Sequence, residues 1–348
     1  MKIKLKILLS LLLVFVLVGC GANKSTNEVK ENNSNVENKN NPDKTKDIKN
    51  IEFILDWVPN TNHTGLYVAK KLGFDKEFGI NLDVKRPPEG STTELISTGH
   101  ANFGISFQDS LANKFAKGIN VKAVAAIIDN NTSGILSIKS ADINNPKDMA
   151  DHSYGTWDDP IEKSIIDTIM KNNGSSLDKV KLVPNTADNS IIGLANNMFE
   201  SAWVYYAWDV ILAKHSNVDT NFFFIKDYAD ELNFYSPVII VNSDYIKTNP
   251  ETVKATMKAI QKGYQYAMQH PEEAAKILIE NAPELADKED FVLESQKWIS
   301  KNYATSPEKW GYIDKVRWDS FYKYLYDNKL IDKDISQESL FTNEFLGE

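Results

Sequence analysis

The sequence predicts an α/β chain of two lobes, each a mainly parallel sheet flanked by helices, with a hinge of two crossover segments between them. Three observations lead there. From residue 48 onward a short apolar run, a turn and an amphipathic run closed by glycine recur, and strands alternating with helices imply parallel pairing. The rhythm restarts near 133–139, and a long extended run near 236–241 precedes a tail that reads as helical throughout. A first α/β block, a second, and a helical return is the order of a chain that crosses between two lobes twice. The 348 residues suit two domains of ordinary size or one large one.

The N-terminus reads as a processing signal, residues 1–20. Lys2, Lys4 and Lys6 precede an apolar run from Ile7 to Val18 broken only by Ser10. That run falls short of the roughly 20 apolar residues needed to span a bilayer but suits a secretory signal. The following "LVGC" resembles the bacterial lipobox, which implies a lipid on Cys20 and anchorage at the extracytoplasmic face of the cell membrane. Cys20 is the only cysteine, so no thiol remains for a disulfide, a zinc site or a nucleophile. Residues 21–47, rich in Asn, Lys, Glu and Ser, cannot bury enough surface to offset their ordering entropy and read as a disordered tether.

The elements then follow in order. "IEFILDW" is a strand, 64–72 a helix stopped by Gly73, and 80–85 a strand; Ser91 and Glu94 have capping-box spacing before a helix ended by Gly99. "ANFGIS", a helix from "QDSLANKFAKG" and the buried strand "VKAVAAII" complete the first block. In the second, Asn145 and Pro146 lead a short helix, "SYGTW" is a strand and 160–171 a helix, after which "VKLVP", "SAWVYY" and "NFFFIK" supply three more strands. "SPVIIVNSDYI" returns the chain to the first lobe. Segments such as "PETVKATMKAIQKGYQYAM" and "RWDSFYKYLYDNKLI" carry the three-and-four spacing of amphipathic helices. The expected lobes are 48–136 with 239–348, and 137–238.

Charge narrows the function. Loss of residues 1–19 removes three lysines and moves the formal charge from −9 to −12, a poor balance for nucleic-acid binding. Only two arginines exist, Arg86 and Arg317, so the forked donor suited to phosphate or sulfonate is scarce. There is no GxSxG, HExxH, Walker or GxGxxG motif, and the five histidines are widely spread; no catalytic residue, cofactor or metal is predicted.

Three clusters stand at strand ends, where open α/β sheets bind ligands. The first is Asp56, Trp57, Asn60, Asn62, His63 and Tyr67; Asn62 or Thr64 could simply cap a helix, but Trp57 and His63 are not turn chemistry. The second is "GTWDDPIEKS", with Trp157, Asp158, Asp159 and Glu162 at a helix start, where acids could serve as caps alone. The third is "ESAWVYYAWD"; strand alternation places Trp203 and Tyr205 on one face. Aromatic strand residues usually enter a core, but four in six residues exceed one core face. Flat rings facing a cleft suit a flat heterocycle.

At these clusters the sequence resembles the substrate-binding lipoproteins of ABC transporters for thiamine pyrimidine precursors, relatives of the fungal thiamine-pyrimidine synthases. The matching stretches are "LDWVPNTNHTGLYVA", "GISFQDSLA", "AVAAIIDNNTSGI", "TWDDPIE", "WVYYAWD", "SPVIIVNSDY" and "KWGYIDKVRW", running from about Ile51 to the C-terminus. The resemblance implies a type II periplasmic binding protein fold and an aminopyrimidine ligand, formylated or free. It implies ABC permease and ATPase subunits as partners, a monomer and no catalysis.

Carried over residue by residue, the ligand-lining candidates are Trp57, Asn60, His63 and Tyr67; Ser106, Phe107 and Gln108; Trp157 and Glu162; and Trp203 and Tyr206. Expected roles are stacking for Trp57, Trp203 and Tyr206, and hydrogen bonding for Asn60, Glu162 and Gln108. The related synthases are thought to consume a histidine and to use a cysteine-rich iron segment. His63 sits in a comparable turn, but no cysteine follows Cys20, which favours a receptor over a synthase. Another flat heterocycle such as riboflavin is the alternative ligand, the scarcity of arginine and the "WVYYAWD" match arguing against sulfonates; a synthase-like enzyme and a purely structural surface lipoprotein are the alternative classes.

Overall fold

A computed structural model of the chain describes residues 48–88, 91–187 and 189–347. The expected signal segment with Cys20 and the tether at 21–47 lie outside them. Among the described residues no helix is long and apolar enough to cross a membrane.

Among the described residues ten strands form two five-stranded sheets. They are β1 Lys49–Ile54, β2 Ile80–Lys85, β3 Phe103–Ser106, β4 Val121–Ala126, β5 Ser133–Ile138, β6 Ser153–Thr156, β7 Lys181–Pro184, β8 Ser201–Tyr205, β9 Thr220–Phe224 and β10 Val238–Asn242. The first sheet has the order β2-β1-β3-β10-β4 and the second β7-β6-β8-β5-β9. β1 pairs in parallel with β2 and β3, and β6 with β7 and β8, whereas β10 and β5 run antiparallel to both their neighbours. In each sheet, then, four strands share one direction and the fifth, reversed, is the one that arrives from the other sheet.

The extended runs at 133–139 and 236–241, expected as crossovers, are these two reversed strands. β5 pairs along its whole length in the second sheet, so residues 133–136, expected with the first lobe, pair there. The passages between sheets are 127–132 and 225–237. They are tied together: Asn131 N donates to Asn233 Oδ1 at 2.8 Å, Asn131 Nδ2 to Leu232 O at 2.9 Å, and Asn233 Nδ2 to Asn130 Oδ1 at 2.8 Å. Arg317 lies over the Tyr235 ring at 3.9 Å and donates to Asp129 at 3.1 Å, so it touches both passages.

β10 is shorter than its apolar pattern, because Asn242 Oδ1 accepts from Asp244 N and Tyr245 N, both at 3.0 Å, and starts the helix Ser243–Thr248. At Ser91 the expected capping box does not form; Glu94 instead meets Lys114 at 2.6 Å.

The C-terminal helix Lys315–Asp327 spans both sheets' surroundings. Gln108 Nε2 donates to Trp318 O at 2.9 Å and Tyr322 Oη to Gln108 O at 3.0 Å on the first side, while Tyr324 Oη lies 2.7 Å from Thr168 Oγ1 on the second. Phe321 stacks on Phe234 with centroids 4.2 Å apart. One buried cluster therefore runs from Ile54 and Leu111 through Trp318 and Phe321 to Tyr154 and Ile165. Aromatic burial on this scale packs the surroundings of the two sheets into one core on that side.

Candidate functional site: an aromatic, acidic cleft

The first wall is the turn after β1. Asn60 caps the one-turn helix Thr61–His63 through Oδ1 and Asn62 N at 2.9 Å, and its own N–H donates to His63 Nδ1 at 3.1 Å. Because Nδ1 accepts, the ring proton sits on Nε2, which donates to Asp56 Oδ1 at 2.7 Å. His63 is fully buried with both nitrogens engaged; it orients Asp56 and does not face the cleft. The turn is fixed from behind by Tyr264 Oη to Asn62 O at 2.6 Å, Thr61 to Ser295 at 2.7 Å and Thr64 to Gln296 at 2.6 Å. The helix Thr64–Lys71 sits so close to Pro250–Gln269 that a Cβ on Gly263 would lie 2.0 Å from Gly65 O, so glycine is required there.

The second wall follows β6. Asp159 caps the helix Pro160–Asn172, accepting from Ile161 N at 2.7 Å and Glu162 N at 3.1 Å. Glu162 is buried and accepts from Tyr154 Oη at 2.7 Å, Thr156 Oγ1 at 2.8 Å and Trp157 N at 3.0 Å. It thereby holds the loop that presents Trp157, and Asp158 beside it takes a left-handed φ of 64°. The Trp157 ring is 51% exposed and Trp57 46%, unusual for tryptophan unless something covers it.

The third wall is the end of β8. Trp203 and Tyr205 point to the cleft, as strand alternation predicts, and the chain then enters a π-helical turn, Tyr206–Val210, that adds Trp208 and Asp209. Trp157 and Trp203 lie 5.8 Å apart, and across the cleft Phe107 and Tyr205 stack at 6.4 Å.

These walls enclose two adjoining chambers. One, about 410 Å³, is lined by Asp56, Trp57, Asn60, Asn62, Asn185, Asn189, Trp208 and Asp209. The other, about 460 Å³, is lined by Asp109, Ser110, Asn113, Asp159 and Glu162. Phe107, Trp157, Trp203 and Tyr205 border both. Burial pushes the carboxyls of Asp109 and Asp209 up to about 6 and raises the Tyr205 phenol, which also faces Asp109.

Of the sequence candidates, Trp57, Asn60, Phe107, Trp157, Glu162 and Trp203 line this cleft. Five do not. His63 lies behind Asp56. Tyr67 is buried in the core near Glu284, its phenol raised to about 12 by burial. Ser106 is buried against Thr93 at 3.0 Å, and Gln108 spends both ends of its amide on Tyr235 N and Trp318 O. Tyr206 points the other way, stacked on Trp298 at 4.5 Å. The cleft also contains Tyr205, Trp208, Asp209 and Asp109, which the sequence does not single out as ligand contacts; of these only Tyr205 is legible, from its alternation with Trp203. Among the described residues no group of three or more His, Cys, Asp or Glu could hold a metal.

Residues 60–274 match the family described as NMT1/THI5 like. The chain belongs to the NMT1/THI5-like family. Two relatives of this family member align with most of its length. A protein called formylaminopyrimidine-binding protein, from Halalkalibacterium halodurans, is 24% identical over 85% of this chain and 90% of its own. A 4-amino-5-hydroxymethyl-2-methylpyrimidine phosphate synthase from Legionella pneumophila is 25% identical over 85% and 92%. Among solved structures, the alkanesulfonate-binding protein SsuA of Xanthomonas axonopodis pv. citri superposes with a TM-score of 0.64 at 11% identity, covering 84% of this chain and 98% of that one. The periplasmic nitrate-binding protein NrtA of Synechocystis gives 0.63 at 14%, covering 86% and 87%. The fold is that of type II periplasmic binding proteins.

Proposed function

We propose that this chain is the solute-binding component of an ABC importer, and that it captures a thiamine-derived aminopyrimidine, of the formylaminopyrimidine or hydroxymethylpyrimidine type, between its two sheets. The sheets act as lobes, and the passages 127–132 and 225–237 as the hinge. The observation that carries the reading is the set of rings at Trp57, Phe107, Trp157, Trp203 and Tyr205 converging on one cleft. Stacking on such rings contributes roughly 1–3 kcal/mol per base in nucleotide systems. Asn60 and Asn189 supply donors and acceptors at the edge of the same chamber. The relative called a formylaminopyrimidine-binding protein supports the ligand class.

The role implies delivery of the ligand, outside the cytoplasm, to the permease of a transporter driven by ATPase subunits, with a lipid on Cys20 as the anchor. Two features weigh against a synthase despite the relative of that name. His63 is closed off from the cleft by its own hydrogen bonds, and the sequence holds no cysteine beyond Cys20.

Tryptophan fluorescence tests this directly, because Trp57, Trp157, Trp203 and Trp208 all border the first chamber. Formylaminopyrimidine should shift the emission saturably, and riboflavin and taurine should not. A response to riboflavin alone sinks the pyrimidine reading. Formation of pyrimidine from pyridoxal phosphate and iron by the purified protein sinks the receptor reading.

A further inference from the structure

Asp56, in the turn after β1, has one carboxylate oxygen that the fold uses and one that it leaves over. Its side chain is only 8% exposed. Oδ1 accepts from His63 Nε2 at 2.7 Å, and His63 itself is fully buried and lines neither chamber. Oδ2 has no partner among the described residues, yet it is not sealed from solvent. Since Asp56 lines the first chamber, that oxygen opens onto it.

The direction of these bonds is fixed from behind. Asn60 N–H donates to His63 Nδ1 at 3.1 Å, so His63 meets Asp56 with its N–H and not with its acceptor nitrogen. Oδ2 is then left as an acceptor held in place before any ligand arrives, which spares the complex part of its ordering cost. No lysine, arginine or histidine lines the first chamber, so the donor for Oδ2 has to come with the ligand. In a 4-aminopyrimidine both ring nitrogens are acceptors, and the exocyclic amine is the only donor on the ring. A carboxylate repels the former and accepts from the latter.

We infer that Asp56 Oδ2 reads the exocyclic amine of the pyrimidine, and that His63 is a positioning residue that holds this carboxylate from behind. The inference rests on the aminopyrimidine reading and names the residue that makes the site select an amine at that edge of the ring. It applies to the formylated and the hydroxymethyl compounds alike, because both keep the amine. It also gives His63 a part in recognition without contact to the ligand.

The test is calorimetric titration at pH 7.5 with formylaminopyrimidine and with N-[(2,4-dimethylpyrimidin-5-yl)methyl]formamide, in which a methyl group of similar size replaces the ring amine and cannot donate. Wild type should bind the amine about 30-fold or more tightly than the methyl analogue, because an analogue lacking the N–H leaves the buried carboxylate unpaired. In D56N the histidine N–H holds the amide oxygen, so the amide turns its NH2 to the ligand and meets the amine donor to donor. The preference should fall below about threefold, with affinity for the methyl analogue almost unchanged. H63A frees Asp56 and should narrow the preference about fivefold, again sparing the methyl analogue, whereas a merely structural role would weaken both compounds together. Circular dichroism checks that the variants fold, and the wild-type comparison stands without them. Equal binding of the two compounds by wild type overturns the inference and leaves the pyrimidine reading intact. A preference that D56N retains overturns the assignment to Asp56, and equal weakening of both compounds by H63A overturns the positioning role. No binding of either compound overturns the pyrimidine reading and the inference with it.

Discussion

Replacing Asp109 by Asn should stabilise the protein without ligand, and only where the carboxylate is ionised. Burial raises this carboxyl from an ordinary value near 3.8 to about 6, so the folded state holds its proton more tightly than the unfolded state does. Between those two values the folded chain binds more protons, and stability falls as pH rises. Below about pH 4 the penalty is small, about 0.5 kcal/mol at pH 4; it reaches about 3 kcal/mol at pH 8, taking about 1.4 kcal/mol per tenfold. Asn keeps the shape and removes the charge. With about 2 °C or slightly more per kcal/mol for a chain of this size, and part of the penalty relieved by water, D109N should melt about 3–6 °C above wild type at pH 8. At pH 4 the gap should shrink to about 1 °C. Differential scanning calorimetry across this range measures it. A D109N protein that melts at or below wild type at pH 8, or whose gap does not change with pH, would show that ionising this part-buried carboxylate carries no such penalty.

Three further outcomes follow from the same geometry. Trp157→Ala should weaken ligand binding by about 10- to 100-fold in a fluorescence or calorimetric titration, given roughly 1–3 kcal/mol for a stacked ring, with little change in melting because the ring is 51% exposed. Tyr206→Ala should do the opposite: affinity close to wild type, but stability lower by about 2–4 kcal/mol in urea unfolding, since its ring packs on Trp298, Phe222 and Phe224. Glu162→Gln replaces a carboxylate that accepts three hydrogen bonds with an amide that must turn a donor toward one of them. It should cost about 1–3 kcal/mol in stability and weaken binding through the Trp157 loop, and a binding loss without any stability change would contradict the positioning role.

Much of the fold is readable in the chain because its strands are short apolar runs stopped by glycine, asparagine or proline. β2 can be read to its exact ends, and the alternation in "SAWVY" tells which rings face the cleft. What is not readable is side-chain direction once local periodicity stops. Tyr206 begins a π-helical turn, so neither the two-residue strand period nor the 3.6-residue helix period applies to it. Gln108 looks like a ligand donor at a helix start, yet it is drawn inward by Tyr235 and Trp318, partners more than 120 residues away. His63 reads as a reactive histidine in a loop; only the fold shows Asn60 and Asp56 occupying both nitrogens. Asp109 has the opposite history. In sequence it is one acid in the first turn of a helix, where acids are common, and only the fold places it in one chamber with Trp203 and Tyr205 of the other sheet. The reversed strands β5 and β10 are invisible for the same reason, because direction is a property of the pairing and not of the apolar run.

The proposed occupant of the cleft between the sheets is an aminopyrimidine. Calorimetric titration of the protein with formylated and free aminomethyl pyrimidine, beside riboflavin and taurine, tests it most directly. The pyrimidines should bind saturably and one-to-one, with an affinity that Trp157→Ala weakens and Tyr206→Ala does not. Binding of riboflavin or taurine with no heat from either pyrimidine would contradict it.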